Sequence, residues 1–322
     1  GGTMAASQIQ AKPKVIVFDV NETLLDLEQM QSSVAKALDG NTQLLPLWFS
    51  TMLHHSLVST VSNDYHDFAD IGVAALMMVA SNNQISLTKE QAKQAIVPPL
   101  LSLPAHSDVK PALAQLKQDY KLVSFTNSSN NGVKAQFQHA GLTDYFTHRY
   151  SVEDIKVYKP DLRAYKWLLE QLNVAPHEAL MVAAHGWDVA GAKEAGMQVK
   201  INMVALKGIN DNEILNLVNW CGENKFGLTF IEVMPMGEIG EKRVNQYMPL
   251  TDVKKLIQTK YSLTNDPLKT GGPARYVHCH ETDQKIGFIT PHTHNFCETC
   301  NRVRITCTGV MYMCLGQEDK VD

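Results

Sequence analysis

Val15-Ile16-Val17-Phe18-Asp19-Val20-Asn21-Glu22-Thr23-Leu24-Leu25-Asp26 is the stretch around which the first two-thirds of the chain is organised. Its apolar run stops abruptly at an aspartate, and a polar turn carrying Thr23 follows. A strand buried on both faces of a parallel sheet reads as such a run, and α/β folds collect their chemistry at the carboxyl ends of these strands. Asp19 is therefore a candidate catalytic carboxylate. The competing reading is an aspartate that merely caps a turn, and the rest of the chain decides between the two.

Residues 27 to about 105 read as a helical insertion. Leu44-Leu45-Pro46-Leu47-Trp48-Phe49 and Val73–Ala80 carry amphipathic patterns, and Thr88 is the expected N-cap of a further helix. Pro98-Pro99 and Pro104 are expected to punctuate the return. An insertion of this size directly after the aspartate strand would cover it as a lid, bringing His54, His55 and His66 as minor catalytic candidates. From Asp108 the βα alternation resumes. A helix near 108–118 leads to the strand Lys121–Phe125, which runs into Thr126-Asn127-Ser128-Ser129-Asn130. Small polar residues between strand and helix present hydroxyls and backbone N–H groups to an anion, or form a solvated turn. Tyr158-Lys159-Pro160-Asp161 follows, with Pro160 expected at the first position of a helix carrying Tyr165. The last unit is Ala179–Val182, then Ala183-Ala184-His185-Gly186-Trp187-Asp188 and a helix of small residues.

The net charge of −4 gives no basis for a polyanion-binding surface, so a nucleic-acid partner is not expected. No apolar run reaches the ~18–20 residues needed to span a bilayer, so no membrane partner is expected either. Residues 1–12 read as a tag-like remnant and loose tail, without the features of a signal peptide. None of the six cysteines precedes Cys221, and four fall between Cys297 and Cys314. Such clustering favours a metal over a disulfide framework and points to a cytoplasmic protein.

Asp, then Thr/Ser, then Lys-Pro, then Asp, at four strand ends, resembles the haloacid dehalogenase superfamily over residues 13–198. Within it the likeness is to type II 2-haloacid dehalogenases. The resemblance implies a Rossmann-like core with a helical cap (about 27–105) and a hydrolase acting on a small molecule without a cofactor. Asp19 would displace halide and become an ester, which water then cleaves. Lys159 would neutralise and orient the carboxylate. Thr23, Thr126 and Asn127 would hold Asp19 or the substrate carboxylate, and Asp188 would position Lys159 or the water. Asn21, Phe49, Ser128, Tyr165 and His185 would line the substrate site. Phosphatases of the superfamily need an aspartate two residues after the nucleophile, where this chain has Asn21, and an acidic pair for magnesium, where Ala184 leaves only Asp188. A magnesium-dependent phosphatase is thus the alternative. Dehalogenases of this type also carry a cap arginine after a tryptophan, whereas Phe49-Ser50-Thr51 follows Trp48 here.

Past Gln198 the character changes. Val199–Val204 and Leu228–Pro235 read as strands, and Asn210-Asp211-Asn212-Glu213 as the cap of the helix that follows. Near the end stand Cys297-Glu298-Thr299-Cys300, Cys307 and Cys314, with His292 and His294 able to complete a zinc set. Lys207–Glu213, Phe230–Pro235, Ile286–Thr290 and Phe296–Arg304 closely resemble the C-terminal part of the GTP 3′,8-cyclase family (molybdenum cofactor biosynthesis protein A). That likeness implies a partial βα-barrel fragment over 199–322 with a small iron–sulfur region. Cys297, Cys300 and Cys314 would hold a [4Fe–4S] cluster, and Arg302 and Arg304 would contact GTP. Cys221, Cys279 and Cys307 match no ligand position. The family's radical chemistry needs an N-terminal C-x3-C-x2-C motif, which the sequence lacks, so GTP cyclisation is not expected. The chain reads as a fusion joined near 196–199, natural or engineered, and Val199–Val204 can serve one parent sheet but not both. Its second part, with unpaired edges, is expected to be the less stable and to favour a homo-oligomer. A third reading keeps only a nucleotide- or cluster-binding role beside an inactive hydrolase.

Overall fold

β1 (Val15–Phe18) is buried at every position and lies inside a four-stranded sheet ordered β3-β2-β1-β4, where β2 is Lys121–Thr126, β3 His148–Ser151 and β4 Ala179–Val182. All pairings are parallel: Val15 lies opposite Lys121 and Ala179, and Phe18 opposite Ser124 and Val182. Stiff Val and Ile side chains pack well on a pleated surface covered from both sides. The chain moves outward from β1 to β2 and β3, then crosses to the other side of β1 for β4. Strand order therefore reverses at β1, where an open α/β sheet leaves a crevice beyond its carboxyl ends. The structure, a computed structural model, describes residues 12–107, 109–232, 246–267 and 274–290, with the backbone of 304–305 and 311–312.

The insertion after β1 comprises α1 (Glu28–Ala37), α2 (Leu45–Val61), α3 (Phe68–Asn82) and α4 (Lys89–Leu101). Thr88 caps α4 in a reciprocal box with Gln91. Pro98 and Pro99 do not end this helix as expected but lie in its last turn. Pro99 has no N–H for the Ala95 carbonyl, and that carbonyl accepts instead from the Ser33 hydroxyl of α1 at 2.7 Å. The two linkers joining this cap to the core run side by side. Asp26 N–H donates to Pro104 O (2.8 Å), His106 N–H donates to Leu24 O (3.1 Å), and Leu25 bridges Ala105.

Helices α5 (Val109–Leu116), α6 (Asn130–Ala140), α7 (Leu162–Leu172) and α8 (Gly186–Glu194) complete the first unit. Pro160 is not the first residue of α7. Asp161 caps that helix, accepting from Arg163 N–H at 2.9 Å, and the Lys159–Pro160 peptide bond is cis.

The chain folds as two compact units, Gly1–Gln198 and Val199–Asp322. In the second, β5 (Lys200–Val204), α9 (Ile214–Asn224) and β6 (Gly227–Ile231) form a βαβ unit. Then come α10 (Leu250–Gln258), β7 (Leu263–Asp266), β8 (Arg275–Cys279) and β9 (Gln284–Ile289). The sheet order is β5-β6-β9-β8-β7, parallel from β5 to β9 and antiparallel from β9 to β7. The strand able to serve either sheet thus belongs to the second, paired with β6 from Lys200–Gly227 to Val204–Ile231. Of the expected cap Asn210–Glu213, Glu213 is the N-cap residue of α9, without a side-chain hydrogen bond, while the Asn210 amide accepts from Leu206 N–H and donates to Val204 O, bracing the turn after β5. Strand β6 ends at Ile231, short of the expected Pro235, which lies outside the described residues. Buried Glu232 follows and takes the N–H of Leu250 at the start of α10. A short antiparallel pair, β10 (Arg304–Ile305) with β11 (Met311–Tyr312), is described for its backbone alone.

Candidate active site

Asp19 stands one residue past β1, its N–H donating to Val182 O of β4 at 3.0 Å. Parallel register brings the ends of β2 and β4 to the same edge, and their loops surround its carboxylate. Lys159, buried to 1% exposure, places Nζ 3.0 Å from Asp19 Oδ1, 2.6 Å from Asp188 Oδ2 and 2.9 Å from the Phe125 carbonyl. Three acceptors match the three protons of an ammonium. Burial disfavours that charge, but Asp188 and then Asp19 outweigh it and hold Lys159 above the ordinary lysine range. The backbone aims the side chain too, since Lys159 N–H donates to Asn127 Oδ1 at 3.0 Å.

Thr23 relays a second hold on Asp19. Its hydroxyl donates to Asp19 Oδ2 (3.0 Å) and accepts from Ala184 N–H (3.0 Å), linking the loops after β1 and β4. Asp188 lies in the first turn of α8, and its other oxygen takes the Tyr165 hydroxyl at 2.6 Å. Burial raises the Tyr165 phenol far above its ordinary range, so it stays a donor. Asn21 donates to Ser128 Oγ (3.1 Å) and accepts from Gln136 Nε2 (3.0 Å), which also donates to Leu100 O in the cap. Thr126 accepts from Ser128 N–H at 3.1 Å and so shapes the loop after β2.

His185 N-caps α8 between two aromatic faces, with Phe49 of α2 at 5.5 Å and Trp187 at 5.2 Å between centroids. Its Nε2 lies 2.6 Å from Glu22 Oε2, and the carboxylate as acceptor assigns the proton to Nε2. Nδ1 is buried without a hydrogen-bond partner and lies 4.0 Å from Asp19 Oδ2. Burial opposes protonation of His185; the hydrogen bond from Glu22, then the charge of Asp19, outweighs it and raises the pKa.

Every residue that the dehalogenase resemblance implied for the site is thus in this network, including Phe49, whose ring stacks on His185. His66 instead pairs with Asp64 in the cap, and His54 packs edge-on against His55. Glu22, Gln136 and the Phe125 carbonyl were not expected. Glu22 follows Asp19 by three positions, but only its left-handed backbone, φ 72°, turns the side chain toward His185. Lys159 takes up Asp19 Oδ1 and Asp188 Oδ2, the carboxylate oxygens that a magnesium ion between them would need, and Ala184 offers no side-chain oxygen. The residues present do not fit that ion. Cys297, Cys300, Cys314 and Arg302, with His292 and His294, lie outside the described residues, as does the side chain of Arg304. Among the described residues, no helix is long and apolar enough to cross a membrane.

The family model for haloacid dehalogenase-like hydrolases matches residues 13–196. The chain belongs to this family. Among solved structures, the L-2-haloacid dehalogenase from Xanthobacter autotrophicus is similar at 27% identity and a TM-score of 0.56, covering 64% of this chain and 83% of that one. The same dehalogenase with chloropropionic acid covalently bound is similar at 25% identity and a TM-score of 0.56, over 76% of this chain and 88% of that one. Residues 226–322 match the model for Molybdenum Cofactor Synthesis C. The GTP 3′,8-cyclase of Paracoccus denitrificans is 61% identical over 135 residues, 42% of this chain and 39% of that relative. That of Mesorhizobium japonicum is 55% identical over 134 residues, 42% of this chain and 40% of that relative. The chain spans about two fifths of the length of these curated relatives. It therefore combines a hydrolase unit with a segment similar to part of GTP 3′,8-cyclases.

Proposed function

We propose that the hydrolase unit displaces halide from a 2-haloalkanoic acid through an ester on Asp19, without a metal ion. The observation that carries this reading is the Lys159 ammonium held between Asp19 and Asp188. It supplies a fixed positive charge that orients the Asp19 carboxylate and favours its ionised form. Asn21, an amide bonded to Ser128 and Gln136, offers no acid for a phosphate leaving group. Halide leaves as an anion and needs none.

In the first step an Asp19 oxygen attacks the carbon bearing the halogen. The carbon–oxygen bond forms as the carbon–halogen bond breaks, and halide departs with the electron pair. Lys159 and Thr23 orient the carboxylate for in-line attack. In the second step water attacks the Asp19 carboxyl carbon. His185 Nδ1, with Nε2–H held by Glu22, accepts a proton from that water. The ester bond breaks, the departing oxygen takes a proton to give the 2-hydroxy acid, and the Asp19 carboxylate is restored. Per turnover, one water is consumed and one halide and one proton are released. Thr126, Asn127 and Ser128 face the substrate carboxylate, while Phe49 and Trp187 give the halogen an apolar setting.

Halide release from L-2-chloropropionate and haloacetates, with EDTA or Mg²⁺, tests this on the parent and Asp19→Asn. Release that EDTA does not affect and Asp19→Asn abolishes is the expected result. No halide release, together with Mg²⁺-dependent phosphate release from p-nitrophenyl phosphate, would replace it with the phosphatase reading. For the second unit, the identity to GTP 3′,8-cyclases favours a [4Fe–4S] cluster on Cys297, Cys300 and Cys314, with Arg302 and Arg304 toward a nucleotide. Anaerobic reconstitution should give a brown protein, and Cys297→Ser should lose the colour. Bound zinc in place of iron would reject the cluster.

A further inference from the structure

We infer that His106, on the linker by which the chain returns from the cap, is a positioning residue for the Glu22–His185 pair. Its kinetic consequence rests on the ester mechanism proposed above, while its geometric basis is independent of it. His106 Nε2 lies 2.9 Å from the Glu22 carbonyl, which can only accept, so Nε2–H is the donor. Glu22 is the one residue of the nucleophile loop with a left-handed backbone, φ 72°. A side chain other than glycine adopts that conformation at a cost and keeps it where the surroundings over-determine it. Here both backbone groups of Glu22 are tied: its N–H donates to Leu25 O at 3.0 Å, and its carbonyl takes the His106 imidazole. His106 is itself fixed, since its N–H donates to Leu24 O and its neighbour Ala105 bridges Leu25. The returning linker thus holds the leaving linker in the turn that aims Glu22 Oε2 at His185 Nε2, 2.6 Å away.

The groups facing His185 make this hold matter. Glu22 comes from the loop after β1, Asp19 from the end of β1 and Asp188 from α8, while Phe49 and Trp187 contribute rings. Lys159 already binds both Asp19 and Asp188. Glu22 is therefore the carboxylate given over to the histidine, and its placement sets both the tautomer and the basicity of Nδ1.

The test uses the full chain with His106→Ala and His106→Gln, whose amide nitrogen can still reach the Glu22 carbonyl. His106→Phe replaces His106→Ala if the smaller side chain prevents folding. The His185 imidazole is followed by ¹⁵N NMR across pH, its signal identified by its loss in His185→Gln. Removing the donor should lower the His185 midpoint by roughly 0.5–1 pH unit, and His106→Gln should restore it. With bromoacetate, His106→Ala should slow turnover about tenfold, with the Asp19 ester accumulating by intact mass, and His106→Gln should reverse both effects. An unchanged His185 midpoint in a folded donor-less variant overturns the inference. So does failure of His106→Gln to restore it at parental thermal stability. If the parent itself forms no ester with any haloacid, the proposed reaction fails, and the NMR titration alone decides the role of His106.

Discussion

Replacing Lys159 with methionine keeps most of the side-chain volume and removes the charge between Asp19 and Asp188. Asp188 is fully buried and Asp19 6% exposed, so the substitution leaves two carboxylates facing one another without a cation. Removing one partner of a buried ion pair costs roughly 3–5 kcal/mol. Thr23 still holds one oxygen of Asp19 and Tyr165 one oxygen of Asp188, which places the expected loss toward the lower end, about 3 kcal/mol at pH 7. The sign with pH follows from the Lys159 shift. Its folded pKa is raised, so the stabilisation is complete below the ordinary lysine value of about 10.4 and is lost only as pH rises through the higher folded value. Parent and variant should differ fully at pH 7 and converge in strong alkali. In acid the gap should also narrow, because the two orphaned carboxylates take up protons. Urea unfolding followed by tryptophan fluorescence measures this in a Trp220→Phe background, where Trp48, Trp167 and Trp187 all report on the first unit. Equal midpoints for parent and Lys159→Met at pH 7 would refute the view that the ammonium holds this site together.

Thr23→Val keeps the shape but strips Asp19 of a donor and leaves Ala184 N–H unpaired; roughly 1–3 kcal/mol of stability should be lost in the same unfolding assay, and halide release should fall more than tenfold. Glu22→Gln should lower the His185 pKa, because the hydrogen bond and charge from Glu22 raise it; the acidic limb of the pH–rate profile should then move to lower pH, with the ester persisting longer by intact mass. Gly191→Ala would set a Cβ 2.5 Å from Tyr165 Cε2; the ring must move off Asp188, costing about 1–3 kcal/mol in thermal or urea unfolding.

The hydrolase unit was largely legible from strand ends. A buried parallel strand betrays itself as an apolar run, and the polar residue that ends it sits at the carboxyl edge whatever the details of packing. Asp19 and Thr126 could be placed on that ground, Lys159 by its proline neighbour, although the proline precedes the helix cap, and Asp188, in the first turn of α8 beyond the end of β4, by the family resemblance. The capping box at Thr88 was legible because its partners are three residues apart. Pro98 and Pro99 are the converse case: the hydroxyl that donates to the Ala95 carbonyl in place of the missing Pro99 N–H, that of Ser33, lies on another helix. Glu22 and Gln136 were not legible, because the sequence does not show a left-handed backbone or a buried amide crossing from α6 to the loop after β1.

Local residue chemistry therefore marked Asp19 at the carboxyl end of a buried strand and the absence of an acid at Asn21, since each depends on side-chain type at a strand end. It also marked the change of character after Gln198. Only the tertiary structure decided that Val199 onward builds the second sheet, because a strand's allegiance depends on which backbone edge it can pair with along its whole length. Only the tertiary structure, too, placed Lys159 between two carboxylates and Glu22 on His185. Those groups lie 140, 29 and 163 positions apart in the chain, and their meeting is a property of the sheet register and the paired cap linkers.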